Sequence, residues 1–345
     1  MKNKLYLLFT VFILILAGCQ NNQTEKVGKE SKKEKLDVFT TVYPLEYITK
    51  QIGGNSVDVK SIYPPGADEH TYEPTQKDMM KLADSDLFLY IGLGLEGFVE
   101  KSESILKNEH VTMVAAGENL PIMDLNENEH AHTEADHSHE EEAGEHEHVD
   151  GSDEEHEHEE NENDDHDHHD HGDIDPHVWM DPKLMKELAM NVLGAMTEKM
   201  PDQKQTFEKN YQDLVKELDE IDLQISEVAE KAKRKKIIVP HAAYGYWELR
   251  YGIEQIAISG ISSTSEPTQK KLQSIIDTIK QEEVPYILYE QNIQSKLADV
   301  VLEETGVKAL HIHNLAVLTE DDLKNQDDYI TLMKRNIEVL EKALN

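Results

Sequence analysis

The stretch PDQKQTFEKNYQDLVKELDEIDLQISEVAEKAKRKK, residues 201–236, carries an unbroken polar–apolar pattern. Within it Phe207, Tyr211, Leu214, Leu218, Ile221, Ile225 and Val228 follow one another at intervals of 4, 3, 4, 3, 4 and 3. Such spacing puts one apolar stripe on a helix of roughly eight turns, at about 5.4 Å per turn. A coiled-coil partner could use the same stripe. With fewer than four heptads and folded sequence on both sides, the pattern predicts a connecting helix packed across two lobes. A helix resists hinge bending more than paired loops do, so lobe closure is expected to be small.

Working outward from that helix, the two flanks follow a related grammar. Upstream, LDVFT begins a strand, VDVKSIYPP is a strand closed by Pro64 and Pro65, DLFLYIG is short and apolar, and VTMV at 111–114 is a fourth strand. Helical stretches fall between them. Downstream, the strands KIIVP, QIAISG, PYILYE and VKALHI alternate with helices in the same way. Short apolar strands alternating with helices suit buried parallel sheets. The five letters EPTQK occur at 73–77 and again at 266–270, each just ahead of a helix. The expected fold is therefore α/β: two similar lobes, each with a central, mostly parallel sheet, joined by one long rigid helix.

The first 18 residues combine two early lysines with an apolar run from Leu5 to Leu16, the form of a secretory signal peptide. Cys19 is the only cysteine, so no internal disulfide can form. LAGC at 16–19 resembles the lipobox of bacterial lipoproteins, which implies lipidation at Cys19. Residues 19–35 are polar and basic with nothing to pack, and read as a flexible tether. The formal net charge is −36, but 23 acidic side chains lie in residues 127–175, where there is no lysine or arginine. Nucleic acid is excluded as a partner, because binding it needs concentrated positive charge. The expected organisation is a signal peptide over 1–18, a lipidated terminus and tether over 19–35, and a first lobe over 36–185 containing an acidic loop at 127–172. A helical segment over 186–236 and a second lobe over 237–345 complete it.

Twelve of the eighteen histidines lie in that loop: His130, His132, His137, His139, His146, His148, His156, His158, His166, His168, His169 and His171. The segment has no apolar periodicity, and its like charges repel. Neutral imidazole binds zinc, nickel and copper, and the surrounding carboxylates concentrate cations. The loop is read as a collector with several weak, interchangeable sites. His177 lies just beyond it in DPHVWMDP, where Pro176 and Trp179 mark the return of order. His70 follows a glycine–proline turn in YPPGADEHTYEP, and His241 follows the apolar strand IIVP. His311 and His313 share a parity at the end of the last strand, and His313 is nearer the C-terminal edge. His110 is read as a surface residue. Open α/β sheets place ligands at the C-terminal edges of their strands, so one histidine from each of several loops points to a tetrahedral metal site. No G-x-S-x-G elbow, H-E-x-x-H helix or phosphate-cradling loop is present.

Residues 36–345 resemble the zinc-binding lipoproteins that serve bacterial ABC transporters of the high-affinity zinc uptake type. The matching stretches are YPPGADEHTYEP, DPHVWMDP, HAAYGYWELRYG with ISGISSTSEPTQKKL, and HNLAVLTEDD. The resemblance implies metal held between two α/β lobes by His70, His177 and His241. The family's fourth ligand is acidic and falls on or near His313, where this sequence departs from the pattern; Glu69 and water are the alternatives. It further implies Zn2+ as cargo, a membrane permease as partner, a lipid-anchored extracytoplasmic location, no enzymatic activity, and a monomer. Two other classes remain at this stage. One is a zinc hydrolase with Glu69 as base; the other is an adhesin or metal-storage protein in which the loop is the main binder.

Overall fold

A computed structural model describes residues 35–122, 174–265 and 267–345. The expected signal peptide, Cys19, the tether and the twelve loop histidines lie outside the described residues.

Four strands of the first half, β1 (Leu36–Thr40), β2 (Val57–Ser61), β3 (Leu87–Tyr90) and β4 (Thr112–Ala115), form a wholly parallel sheet in the order β2-β1-β3-β4. Four strands of the second half, β5 (Lys236–Val239), β6 (Glu254–Ala257), β7 (Tyr286–Glu290) and β8 (Lys308–Ile312), repeat that order as β6-β5-β7-β8. In each sheet the chain first steps to one side of its opening strand and then to the other. The reversal leaves a crevice at the C-terminal strand ends, between β1 and β3 and between β5 and β7.

The helices are α1 (Tyr43–Gly53), α2 (Gln76–Ala83), α3 (Gly97–Leu106), α4 (Pro182–Lys199), α5 (Lys204–Lys231) and α6 (Gly245–Tyr251). They continue as α7 (Gln269–Gln281), α8 (Lys296–Thr305), α9 (Glu320–Asn325) and α10 (Tyr329–Ala343). The EPTQK repeat has a structural reason. Its threonines, Thr75 and Thr268, are the N-caps of α2 and α7, accepting from the amides of Asp78 at 3.3 Å and Lys271 at 3.2 Å. Each capped helix follows the second strand of its sheet. A capping side chain satisfies an amide that the helix itself cannot reach.

The long helix is α5, preceded by a 3-10 turn at Pro201–Gln203. It stops at Lys231, short of Lys236, because the chain must turn into β5; the Lys233 and Arg234 amides both donate to Leu344 O at the end of α10. Six of the seven expected stripe residues are buried, from Phe207 to Ile225. At the last step Ala229 is buried and Val228 only partly so. A straight helix drifts about 20° per heptad against a strict 3.5-residue repeat, so the seam moves by one residue after three heptads.

The stripe packs on α4 and α1 toward the first sheet and on α10 toward the second. One continuous apolar core includes strands of both sheets and α5, while a smaller one lies between the second sheet and α7 and α8. The lobes are tied elsewhere too: Tyr43 N donates to Ala316 O at 2.7 Å and Gly66 N to Leu318 O at 2.9 Å. Lobes that share a core and several crossings have little freedom to hinge.

Candidate metal centre

Residues 175–182 run fully buried across the junction of the lobes. Aromatic side chains brace them. Trp179 Nε1 donates to Asn314 O at 2.8 Å, Trp247 Nε1 to Met180 O at 2.7 Å, and Tyr329 OH to Trp179 O at 2.7 Å. His177 sits at the start of this braced segment and is wholly buried. His241 is also wholly buried and is delivered by the end of β5, whereas Glu69 and His70 come from the loop after β2.

These four residues meet. Each offers one ligand atom, and the four atoms lie within 4.8 Å of one another. His177 Nε2 is 3.2 Å from His70 Nε2 and 3.3 Å from His241 Nε2. Nitrogens about 2.0–2.1 Å from a tetrahedral zinc are roughly 3.3–3.4 Å from each other, so these spacings are close to those of zinc coordination. The tautomers are set from outside. His177 Nδ1 is 2.7 Å from Asp175 Oδ1, and His241 Nδ1 is 2.8 Å from Glu290 Oε1. With each Nδ1–H donated to a carboxylate, both Nε2 atoms turn lone pairs toward the same point. Lone pairs facing one another at that distance repel unless a cation lies between them. Carboxylate partners of this kind fix ring orientation and raise ligand basicity.

The electrostatics keep one ring neutral and set a proton against the metal at another. Burial, aided by the neighbouring His177 and His241, lowers the His70 pKa to about 2 and keeps that ring neutral. Burial opposes a charge on His241, but the Glu290 carboxylate outweighs it and raises the His241 pKa to about 9, so near neutral pH a metal ion must displace a proton from that ring. Burial raises that of Glu69, against the pull of the His241 and His177 rings. His70 is the least buried of the four, and a cavity of about 330 Å³ opens onto it between Leu93, Ile174, Ile261 and Ser262. Four donors, three of them imidazoles, fit a single tight Zn2+ site spanning the lobes.

The zinc-uptake complex component A (ZnuA) family, described as periplasmic, matches residues 38–343. The chain belongs to this family. Over 340 residues it is 32% identical to the high-affinity zinc uptake system protein ZnuA of Bacillus subtilis, a match covering 99% of this chain and 97% of that protein. It is 31% identical over 343 residues to the zinc-binding lipoprotein AdcA of Streptococcus pneumoniae, covering 99% of this chain but 61% of AdcA. The chain thus spans less than two thirds of that relative. Among solved structures, the Zn(II)-bound ZnuA-like domain of S. pneumoniae AdcA is similar with a TM-score of 0.67 at 28% identity, over 90% of this chain and 99% of that one.

His313, expected as the fourth ligand, is not among the four residues whose ligand atoms converge. β8 ends at Ile312, so His313 lies just beyond the strand edge that singled it out. Its ring instead organises the connection to α9: Nδ1 accepts from Leu315 N at 2.9 Å, and Nε2 faces Asp322 Oδ2 at 3.2 Å. Burial alone would raise the Asp322 pKa, but hydrogen bonds from His313 and Thr319 outweigh it and hold it at about 2. His311 is exposed on β8 beside Tyr289, and His110 is exposed beside Asp86.

Sequence reasoning misses Asp175 and Glu290, the partners of the two buried imidazoles. Glu290 had a usable signal, being a carboxylate at the end of the apolar run PYILY. Asp175→Asn and Glu290→Gln should each weaken zinc binding by about 10–100-fold while leaving the stoichiometry at the tight site unchanged. Competition against a chelating dye checks this, and wild-type affinity in both variants would refute the assigned tautomers.

Proposed function

We propose that this protein captures Zn2+ outside the cytoplasm, anchored by a lipid at Cys19, and delivers it to the permease of an ABC importer. The observation that carries the reading is the convergence of the His70, His177 and His241 Nε2 atoms at 3.2 and 3.3 Å, with two of the rings locked by carboxylates. Glu69 supplies the fourth contact. Three imidazoles suit zinc, whereas manganese and magnesium prefer mostly oxygen. Family membership and the relatives' names, a zinc uptake system protein and a zinc-binding lipoprotein, support the same reading. The buried, aromatic-braced junction favours a closed binding state, so release requires the docked permease to strain the lobes apart. The loop histidines and their neighbouring carboxylates collect zinc and raise its local concentration around the protein.

The test is competitive zinc titration of the secreted form with and without residues 127–171. One tight equivalent should survive loop removal, while the weak equivalents disappear. Loss of tight binding along with the loop would overturn the transport reading in favour of storage.

A further inference from the structure

The Glu69 carboxylate belongs to the first lobe but is held from the second. Its Oε2 accepts from Asn292 Nδ2 at 3.0 Å, and its Oε1 accepts from Asn314 Nδ2 at 3.2 Å. Asn292 lies two residues beyond the end of β7, and Asn314 two beyond the end of β8. Asn292 Nδ2 also donates across the cleft to Ala67 O at 2.9 Å. Asn314 Nδ2 is shared with Glu290 Oε2 at 2.9 Å and Asn292 Oδ1 at 3.1 Å. One amide therefore touches both the carboxylate that joins the three histidines and the carboxylate that orients His241.

The Asn314 side chain has no freedom to turn. Its Oδ1 accepts from Gln291 Nε2 at 2.7 Å and from Ala316 N at 3.1 Å, while its own backbone N–H donates to Gln291 Oε1 at 2.9 Å. Chains of amides of this kind polarise one another and strengthen in a buried setting.

We propose that Asn292 and Asn314 are positioning residues, a pair of amides that aims the Glu69 carboxylate at the three histidines and does so only while the cleft is closed. This deepens the zinc reading and rests on Glu69 being a ligand. Amides suit the task better than lysine or arginine would. They donate hydrogen bonds without cancelling the negative charge that the cation needs, and each carboxylate oxygen keeps a second lone pair for the metal. The donors sit on one lobe and the acceptor on the other, so separating the lobes frees the carboxylate and weakens the site in the same motion. Metal affinity and lobe closure are thereby coupled through two named side chains.

A double-mutant cycle on the full-length chain tests this, with a competitor strong enough to strip the loop sites. Zinc affinity is measured for wild type, Glu69→Ala, Asn292→Ala, Asn314→Ala, and each amide variant combined with Glu69→Ala. Each amide substitution alone should weaken zinc binding about tenfold. In the Glu69→Ala background Asn292→Ala should change nothing further, because a residue acting through Glu69 has nothing left to act on, while Asn314→Ala should keep only the part of its effect that runs through Glu290. The visible bands of the Co2+-loaded Asn292→Ala protein should shift as those of Glu69→Ala do, which a loss of packing alone would not produce. Asn314 is fully buried; if Asn314→Ala does not fold, the half-buried Asn292 carries the cycle. Independent, additive effects would overturn the clamp while leaving zinc capture intact. Wild-type affinity in Glu69→Ala would instead remove Glu69 as a ligand, and the clamp with it.

Discussion

His177→Ala should abolish tight zinc binding. Spreading an apparent zinc free energy of about 10–16 kcal/mol over four ligands assigns about 3 kcal/mol to each, roughly a hundredfold in affinity. His177 should exceed that share, since its Nε2 is the nitrogen adjacent to both of the others. It is also the most constrained. Asp175 Oδ1 takes both its backbone N–H, at 2.9 Å, and its ring, at 2.7 Å, and Trp179 lies edge-on with ring centroids 5.4 Å apart. Isothermal titration with a competing chelator measures the loss. A second readout is the rise in unfolding temperature on adding zinc, which follows from selective binding to the folded state and is worth about 2.7 kcal/mol at a hundred times Kd. That rise should collapse in the variant. An undiminished rise would place the tight site elsewhere.

Trp179→Ala should destabilise the metal-free protein by about 3–5 kcal/mol, the range for emptying a fully buried large aromatic site. Trp179 is 0% exposed and is bonded at both its indole and its carbonyl, so the substitution opens a cavity where α10, the 313–317 segment and the site-bearing segment meet. Trp179→Phe keeps most of the volume and loses the indole donor. It leaves the Asn314 carbonyl without that partner, which costs about 1–3 kcal/mol. Urea unfolding in the presence of a chelator gives both values. A loss under about 1 kcal/mol for Trp179→Ala would show that the junction is not packed as described.

The site was legible to different depths in different residues. His70, His177 and His241 each stand in a loop at the edge of a predicted element, and position in the α/β grammar was enough to single them out. His313 looked equivalent by that criterion, because the criterion sees where a strand ends and not where a ring turns. Its true partner, Asp322, belongs to the capping box of α9, nine residues downstream. Asn292 and Asn314 gave no signal: an isolated asparagine after a strand reads as a turn residue.

By itself the sequence determined the two repeated α/β lobes, the helix between them and the candidate histidines. All of these follow from local period, capping chemistry and punctuation, which a chain carries within windows of a dozen or so residues. The stripe from Phe207 to Ile225, the repeated Thr75 and Thr268 caps, and the apolar strands each needed no knowledge of distant residues. Tertiary structure alone decided that Glu69 joins the histidines, that Asp175 and Glu290 set their tautomers, and that His313 turns away toward Asp322. Each of those outcomes depends on which side chains meet across the cleft, with partners such as Glu69 and Asn314 lying 245 positions apart. No local pattern encodes contacts of that separation; they exist only once the shared core has brought the two sheet edges together.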